Sequence, residues 1–357
     1  MLKNLYKSTL RAISGKTALP IQIDITNACN LRCSHCYHSH HRNNGALTFE
    51  DWKKVIRDYK ELLDKLLLDP QISICGGEPT ISPFFKDMVF YLFSEFPDLQ
   101  LNVLTNGTFI SRKLLEDLKG KNITFQVSLD GPDSKTHDLI RGKGSFEKSL
   151  SGIKLLREFK FTVSILSVLS KNSSEKIEEF FGLARDINVH AMNFTRLIPQ
   201  GNGKSYVESG RDRSLTGLDL KAAMENIIFY SKKHNVKTNT NQPLYNLLDE
   251  KLGMHSKMGF QGFVISYKGD LKPSSRSNYS VGNVLEESLS DLYLKNPLMK
   301  SLRSGSFLGC KDCSHNRRCG GDRNFSFAVY GDFLSPDIGC WKYNFKTIKK
   351  GVGYEAS

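Results

Sequence analysis

Three cysteines fall within eight residues, Cys29-Asn-Leu-Arg-Cys33-Ser-His-Cys36, with the spacing C-x3-C-x2-C. The alternating apolar residues Ile21, Ile23 and Ile25 just before them read as a short strand. A loop leaving a strand end can wrap thiolates around one inorganic centre, and soft thiolates select zinc, copper(I) or iron–sulfur clusters. Three ligands are one too few for a closed tetrahedral zinc site or a fully ligated four-iron cluster. Two readings stay open at this level. An open position would let a substrate or cofactor bind the metal, or the thiols are scattered or belong to a zinc site.

Eight cysteines without an export signal argue for reduced thiols and metal ligation rather than disulfides, and seven of the eight fall in two groups. Met1 to Gly15 lacks the apolar core of a signal peptide, and no apolar run approaches ~18 residues, so a cytoplasmic chain without a transmembrane segment is expected. Leu2, Leu5, Tyr6, Leu10 and Ile13 recur at helical spacing with Lys3, Lys7 and Arg11 between them. They predict an amphipathic basic helix over 1–17, packed on its own domain or touching an anionic membrane surface. The 357 residues, 39% hydrophobic and 24% charged, suffice for one large domain and a small one. A net charge of +13 suits an anionic partner such as an acidic peptide, a phosphorylated metabolite or nucleic acid. The basic residues are dispersed, so no DNA partner is expected and RNA binding is a weak option.

Thr48-Phe-Glu-Asp51 reads as a capping box opening a long helix to about Leu68, ended by Asp69-Pro70. Strands follow at Ile72–Cys75, Leu101–Thr105, Thr124–Leu129, Phe161–Leu169 and His190–Leu197, with helices between them. This alternation predicts right-handed βαβ units and a parallel sheet of six strands, fewer than the eight of a closed barrel. Functional groups belong at the C-terminal ends of such strands. The Gly-, Ser- and Arg-rich stretch 199–217 reads as a mobile loop, and a helix follows near 218–234. A domain boundary is expected near 240–262. His38-Ser-His-His41 reads as a solvated loop or a metal-binding group.

Gly76-Gly77-Glu78-Pro79 follows the second strand by position. Two glycines there let backbone approach a ligand, proline fixes the turn, and Glu78 offers a carboxylate; an ordinary strand-to-helix turn would look the same. Together, C-x3-C-x2-C and this motif forty residues later resemble the radical S-adenosylmethionine (radical SAM) superfamily. The resemblance implies that Cys29, Cys33 and Cys36 hold three irons of a [4Fe-4S] cluster, while the fourth iron takes the amino and carboxylate groups of SAM. It implies that Gly76–Pro79 holds the SAM amino group. Thr105, Asn106, Ser128 and Asp130, at the ends of the next two strands, would meet the ribose and carboxylate, and Arg141 would pair with the carboxylate. Cys75 is either a buried strand thiol or a hydrogen-atom donor beside SAM.

Cys310, Cys313, Cys319 and Cys340 make a complete ligand set for zinc or for a second [4Fe-4S] cluster. Beside the other motifs they resemble the SPASM or "twitch" extension of one radical SAM subgroup, and the likeness runs from about Ile21 to Trp341. Full SPASM domains carry two auxiliary clusters, the first needing cysteines near 272–276 and three or four residues after Cys319. Here Ser274, Ser275 and Arg276, then Asp322 and Arg323, stand there. A single auxiliary cluster is therefore expected.

The fold implied is α/β, a partial (β/α)6 TIM-type barrel over 18–240, a connection over 241–265, a small cluster domain over 266–345 and a tail at 346–357. The function implied is reductive cleavage of SAM to a 5′-deoxyadenosyl radical that takes hydrogen from a substrate C–H bond. The electron would come from a donor such as flavodoxin or ferredoxin. The expected substrate is a ribosomally made peptide; a small molecule such as a cofactor or tetrapyrrole precursor is the alternative. Without the SAM motif the chain would read as an iron–sulfur or zinc scaffold or electron carrier.

Overall fold

The computed structural model describes residues 18–38, 41–256, 262–305 and 307–342. The expected N-terminal helix over 1–17 and tail over 346–357 lie outside the described residues.

The six predicted strands form. They are β1 (Ala18–Asp24), β2 (Asp69–Cys75), β3 (Leu101–Thr105), β4 (Ile123–Ser128), β5 (Thr162–Leu169) and β6 (Ala191–Arg196). Each pairs in parallel with the next in chain order. The sheet does not stop at β1. Three short strands, β7 (Phe263–Ile265), β8 (Asp270–Lys272) and β9 (Gly282–Asn283), extend it, β7 parallel to β1 and the last two antiparallel. The order β6-β5-β4-β3-β2-β1-β7-β8-β9 is open at both ends. This is the expected partial (β/α)6 barrel, followed by a small cysteine-bearing C-terminal region.

Residue alternation sets the two faces of the sheet. Leu19, Ile21, Ile23, Ile72, Ile74, Leu101, Val103, Phe125 and Val127 are buried on one face, in one core with helix residues such as Trp52, Val55, Tyr59, Leu92 and Ile153. The helix Phe49–Leu66 starts at the predicted capping box, with Asp51 N donating to Thr48 Oγ1 (3.2 Å) and Thr48 N to Asp51 Oδ2 (2.9 Å). Its Tyr59 hydroxyl donates to the Leu19 carbonyl, fastening helix to strand. The opposite sheet face is polar. Gln22 pairs with Ser73 and Ser73 with Asn102, Asp24 pairs with Cys75, and Leu104 pairs with Gln126, which pairs with Ser164. A core would not be built of such residues, so this face is the one left for chemistry.

Residues 199–217 differ from expectation. They contain a helix, Asn202–Glu208, and Asp212, Ser214 and Leu215 are buried. The glycine there serves close contact rather than freedom. Gly201 has φ +58°, and a Cβ on it would lie 2.2 Å from the Tyr37 carbonyl oxygen. Gly203 N donates to the Cys36 carbonyl (3.1 Å), so this segment packs onto the cysteine loop.

Candidate functional site

The first cysteine group leaves β1 and is braced by the turn after β2. Gly77 N donates to Thr26 O and Glu78 N to Ala28 O, each at 2.8 Å. A Cβ on Gly76 would lie 2.1 Å from Thr26 O, and one on Gly77 2.2 Å from Ala28 O. Only glycines let the two loops meet this closely. Cys33 is buried, and Cys29 and Cys36 are half-buried. Donors surround the sulfurs: Leu31 N is 3.4 Å from Cys29 Sγ, Asn106 Nδ2 4.0 Å from the same atom, and Arg141 Nη1 3.9 Å from Cys33 Sγ. Burial pushes all three thiols up, Cys36 to about 11, so the protein alone leaves them protonated. The thiolate form must come with metal binding, which expels the protons. Three soft donors ringed by N–H groups fit a cluster with one open iron.

Glu78 is fully buried, and its carboxylate is committed within the protein. Oε1 accepts from Thr80 N (3.1 Å), Thr80 Oγ1 (2.6 Å) and Thr105 Oγ1 (2.6 Å); Oε2 accepts from Asn106 N (2.6 Å). Desolvation raises its pKa and these four donors oppose it. Glu78 thus ties the turn after β2 to the end of β3. Thr105 Oγ1 also accepts from Gly107 N (3.0 Å), and Asn106 Nδ2 donates to Asn30 Oδ1 (2.9 Å) in the cysteine loop. Ser128 stands half-buried at the end of β4.

Asp130 sits just beyond β4 and gathers three partners. Oδ2 meets His35 Nε2 and Arg141 Nε, both at 2.5 Å, and Oδ1 accepts from Val168 N (2.8 Å). Burial acts to raise its pKa, but the Arg141 and His35 charges and these hydrogen bonds outweigh it and hold the carboxyl well below the usual range. His137, fully buried, accepts at Nδ1 from Asp130 N (3.2 Å). Burial and the Arg141 charge lower its pKa to about 4, so it is neutral.

A further polar group lies on the inner face. Burial raises the Asp24 pKa, with Lys272 opposing, and Gln22 Nε2 donates to Asp24 Oδ1 (2.8 Å). Cys75, its register partner, is pushed up by burial and then by the Asp24 charge, and takes a hydrogen bond from the Tyr37 hydroxyl. Sequence reasoning had given no part to Asp24, Asn30, His35, Tyr37 or His137. His35 was visible inside the motif, and Asp24 as a carboxylate ending an isoleucine-alternating strand. His38 and His41 hold their rings 6.3 Å apart.

The second cysteine group converges too. Cys310, Cys313, Cys319 and Cys340 line one cavity of 60 Å³ with Gly309, Gly320, Gly321 and Asp337. Gly321 N points to Cys319 Sγ at 3.4 Å. Four thiols around one space fit a cluster or a zinc ion by donor chemistry. Among the described residues, no three His, Cys, Asp or Glu side chains close on a point at metal-ion spacing.

The family model described as the radical SAM superfamily matches residues 23–184, which hold the first cysteine group, the glycine turn, Asp130 and Arg141. Residues 23–184 form a radical SAM domain, so the chain is a radical SAM enzyme. Such a domain implies a [4Fe-4S] cluster and SAM, and sets aside the scaffold and electron-carrier readings. Among curated proteins, this radical SAM enzyme is 26% identical over 341 residues to the AdoMet-dependent heme synthase of Methanosarcina barkeri, covering 89% of this chain and 94% of that one. It is 28% identical over 300 residues to the antilisterial bacteriocin subtilosin biosynthesis protein AlbA of Bacillus subtilis, covering 81% of this chain and 63% of AlbA. Its fold matches Streptococcus suis SuiB bound to its precursor peptide SuiA, with TM-score 0.72 and 18% identity over 94% of this chain and 79% of SuiB. No helix among the described residues is long and apolar enough to cross a membrane.

Proposed function

We propose that this radical SAM enzyme modifies a ribosomally made peptide. The observation that carries the reading is the polar inner face of an open sheet: Gln22, Ser73, Asn102, Gln126 and Asn193 are half-buried or buried donors and acceptors that an extended chain can meet. Likeness to AlbA and to SuiB, which holds a precursor peptide, supports it.

In this reading Cys29, Cys33 and Cys36 hold the cluster that binds SAM. With both groups bound, the site would supply one-electron reductive cleavage of SAM and hydrogen abstraction from a substrate C–H bond. The chain's own residues position and shield. Gly76 and Gly77 offer backbone to the SAM amino group, braced by Glu78, Thr105 and Asn106. Asp130 fixes Arg141 through Nε, leaving the rest of the guanidinium for the SAM carboxylate. Ser128 serves the ribose, and Cys75 is a reserve hydrogen donor on the inner face. Cys310, Cys313, Cys319 and Cys340 would hold one auxiliary [4Fe-4S] cluster, and their complete set of four thiolates suits electron transfer. The electron would come from a cytoplasmic donor such as flavodoxin or ferredoxin.

A tetrapyrrole substrate is the second reading, favoured by the match to 94% of the length of a heme synthase. Anaerobic incubation with SAM, reductant and short peptides encoded beside the gene should change a peptide mass. Unchanged peptides with turnover of an iron-bearing tetrapyrrole carboxylate would overturn the peptide reading.

A further inference from the structure

Arg323 opens the helix Arg323–Tyr330 and is 1% exposed, a charged side chain as buried as the core. Its guanidinium is fixed in place. Nη1 donates to Phe333 O (3.0 Å) and Ser335 O (2.6 Å), and the group lies 4.4 Å over the Phe307 ring. Buried guanidinium N–H groups are normally paired. Here Nε and Nη2 have no hydrogen-bond partner among the described residues.

The unpaired Nη2 lies beside the second cysteine group. A Cβ on Gly321, at φ +69°, would lie 2.6 Å from Arg323 Nη2, so the guanidinium rests against Gly321. Gly321 lines the cysteine cavity, and its N–H points to Cys319 Sγ at 3.4 Å. The Phe307 ring under the guanidinium packs on the same wall, since a Cβ on Gly320 would lie 2.7 Å from it. The nearby carboxylates are engaged elsewhere. Asp322 Oδ1 accepts from Asn324 N (3.0 Å) and Phe325 N (3.3 Å) to cap the helix. Asp337 Oδ1 accepts from Arg196 Nη1 (3.0 Å) and Gly339 N (2.7 Å), and its Oδ2 from Asp322 N (2.8 Å). Burial works against the Arg323 charge, and Asp337, then Cys310, Asp322 and Cys319, favour it. A buried cation thus stands beside the four sulfurs with no carboxylate hydrogen-bonded to it.

We propose that Arg323 tunes the auxiliary cluster: its fixed positive charge beside Cys310 and Cys319 favours the reduced form and so raises the reduction potential. The proposal rests on the auxiliary-cluster reading above. Reduction adds one negative charge to a four-thiolate cluster, and the potential of such a cluster follows its net charge and surroundings. A cation in low-dielectric surroundings acts on that added charge with little screening, which an exposed arginine would not. Arg323 acts through its charge and through the Gly321 backbone it supports, as a second layer around the thiols.

The test reads a potential and needs no substrate. In the full chain carrying Cys29→Ala, Cys33→Ala and Cys36→Ala, only the second site can hold a cluster, and about four irons per chain are expected. Its midpoint potential is titrated anaerobically through the EPR signal of the reduced cluster. Arg323→Gln in this parent should lower the reduction equilibrium constant about tenfold or more, which is about 59 mV for a one-electron couple. Arg323→Lys keeps a charge that pH can remove, because burial eases the deprotonation of a lysine whereas an arginine stays charged. Its difference from the parent should widen from under about threefold at about pH 6.5 to about tenfold at about pH 10. An unmoved potential in Arg323→Gln, or a lysine variant whose difference from the parent ignores pH, would overturn the tuning role with the cluster still in place. Failure of both variants to hold iron would make Arg323 a structural residue only and overturn it as well. Zinc without iron in the parent would instead reject the auxiliary-cluster reading, and the proposal with it.

Discussion

Asp130 Oδ2 lies 2.5 Å from Nε of Arg141, and the two side chains are 1% and 10% exposed. The same oxygen meets His35, which lies between two cysteines of the motif, so one carboxylate ties the cysteine loop to the helix Ser134–Arg141 that carries Arg141. Asp130→Asn would leave Arg141 a buried cation without its counter-charge. A loss of about 3–5 kcal/mol in unfolding free energy is expected. SAM affinity should fall with it, because Arg141 is no longer aimed. Urea unfolding and SAM binding on the same preparation check both; unchanged stability would refute the pair's structural role.

His137 gives the fold an acid-side dependence with a definite sign. Its pKa is about 4 folded against about 6.5 unfolded. The unfolded chain takes up the proton first as pH falls, so the contribution is present in full above pH 6.5 and is lost between there and about pH 4. The loss approaches about 3 kcal/mol. His137→Gln should be less stable than wild type at pH 7.5 but should lose less stability between pH 7 and pH 5, measured by denaturant midpoint.

Gly77→Ala puts a methyl group onto backbone, 2.2 Å from Ala28 O, which no rotamer can relieve. The variant should fold its helices yet lose the iron of the first cluster after reconstitution. Glu78→Gln tests the same junction from the other side. Its amide must give up acceptor positions now filled by Thr80, Thr105 and Asn106, at a cost of about 1–3 kcal/mol. SAM affinity and stability should fall together; loss of SAM binding at full stability would mean that Glu78 touches SAM.

Cys313→Ala should lower the iron content of the anaerobically reconstituted protein from about eight to about four per chain, with SAM cleavage to 5′-deoxyadenosine read in parallel. About four irons and one zinc in the wild type would instead make the C-terminal set a zinc site.

Gly201→Ala should separate residues 199–217 from the cysteine loop, because its Cβ would press on Tyr37 O and its φ of +58° disfavours a side chain. Limited proteolysis should then cut near Asn202–Glu208, where wild type resists.

The sequence by itself determined the local, repeating features. Strand and helix periods follow from side-chain alternation, which needs no distant partner, so the existence and order of β1–β6 were legible, with their ends placed to within three residues. The cysteine spacing and the glycine turn were legible because a thiolate loop and a close backbone approach each demand one residue type. Tertiary structure decided whatever depends on which distant groups share a space. A glycine-rich stretch reads as mobile until Gly201 is seen against Tyr37. Glu78 reads as a free carboxylate until Thr105 and Asn106 are seen to fill it. Arg276 and Arg323 read as the absence of cysteines until they are found lining one cavity with Arg196. Burial and charge pairing are sums over neighbours far apart in the chain, and only the packed chain brings those neighbours together.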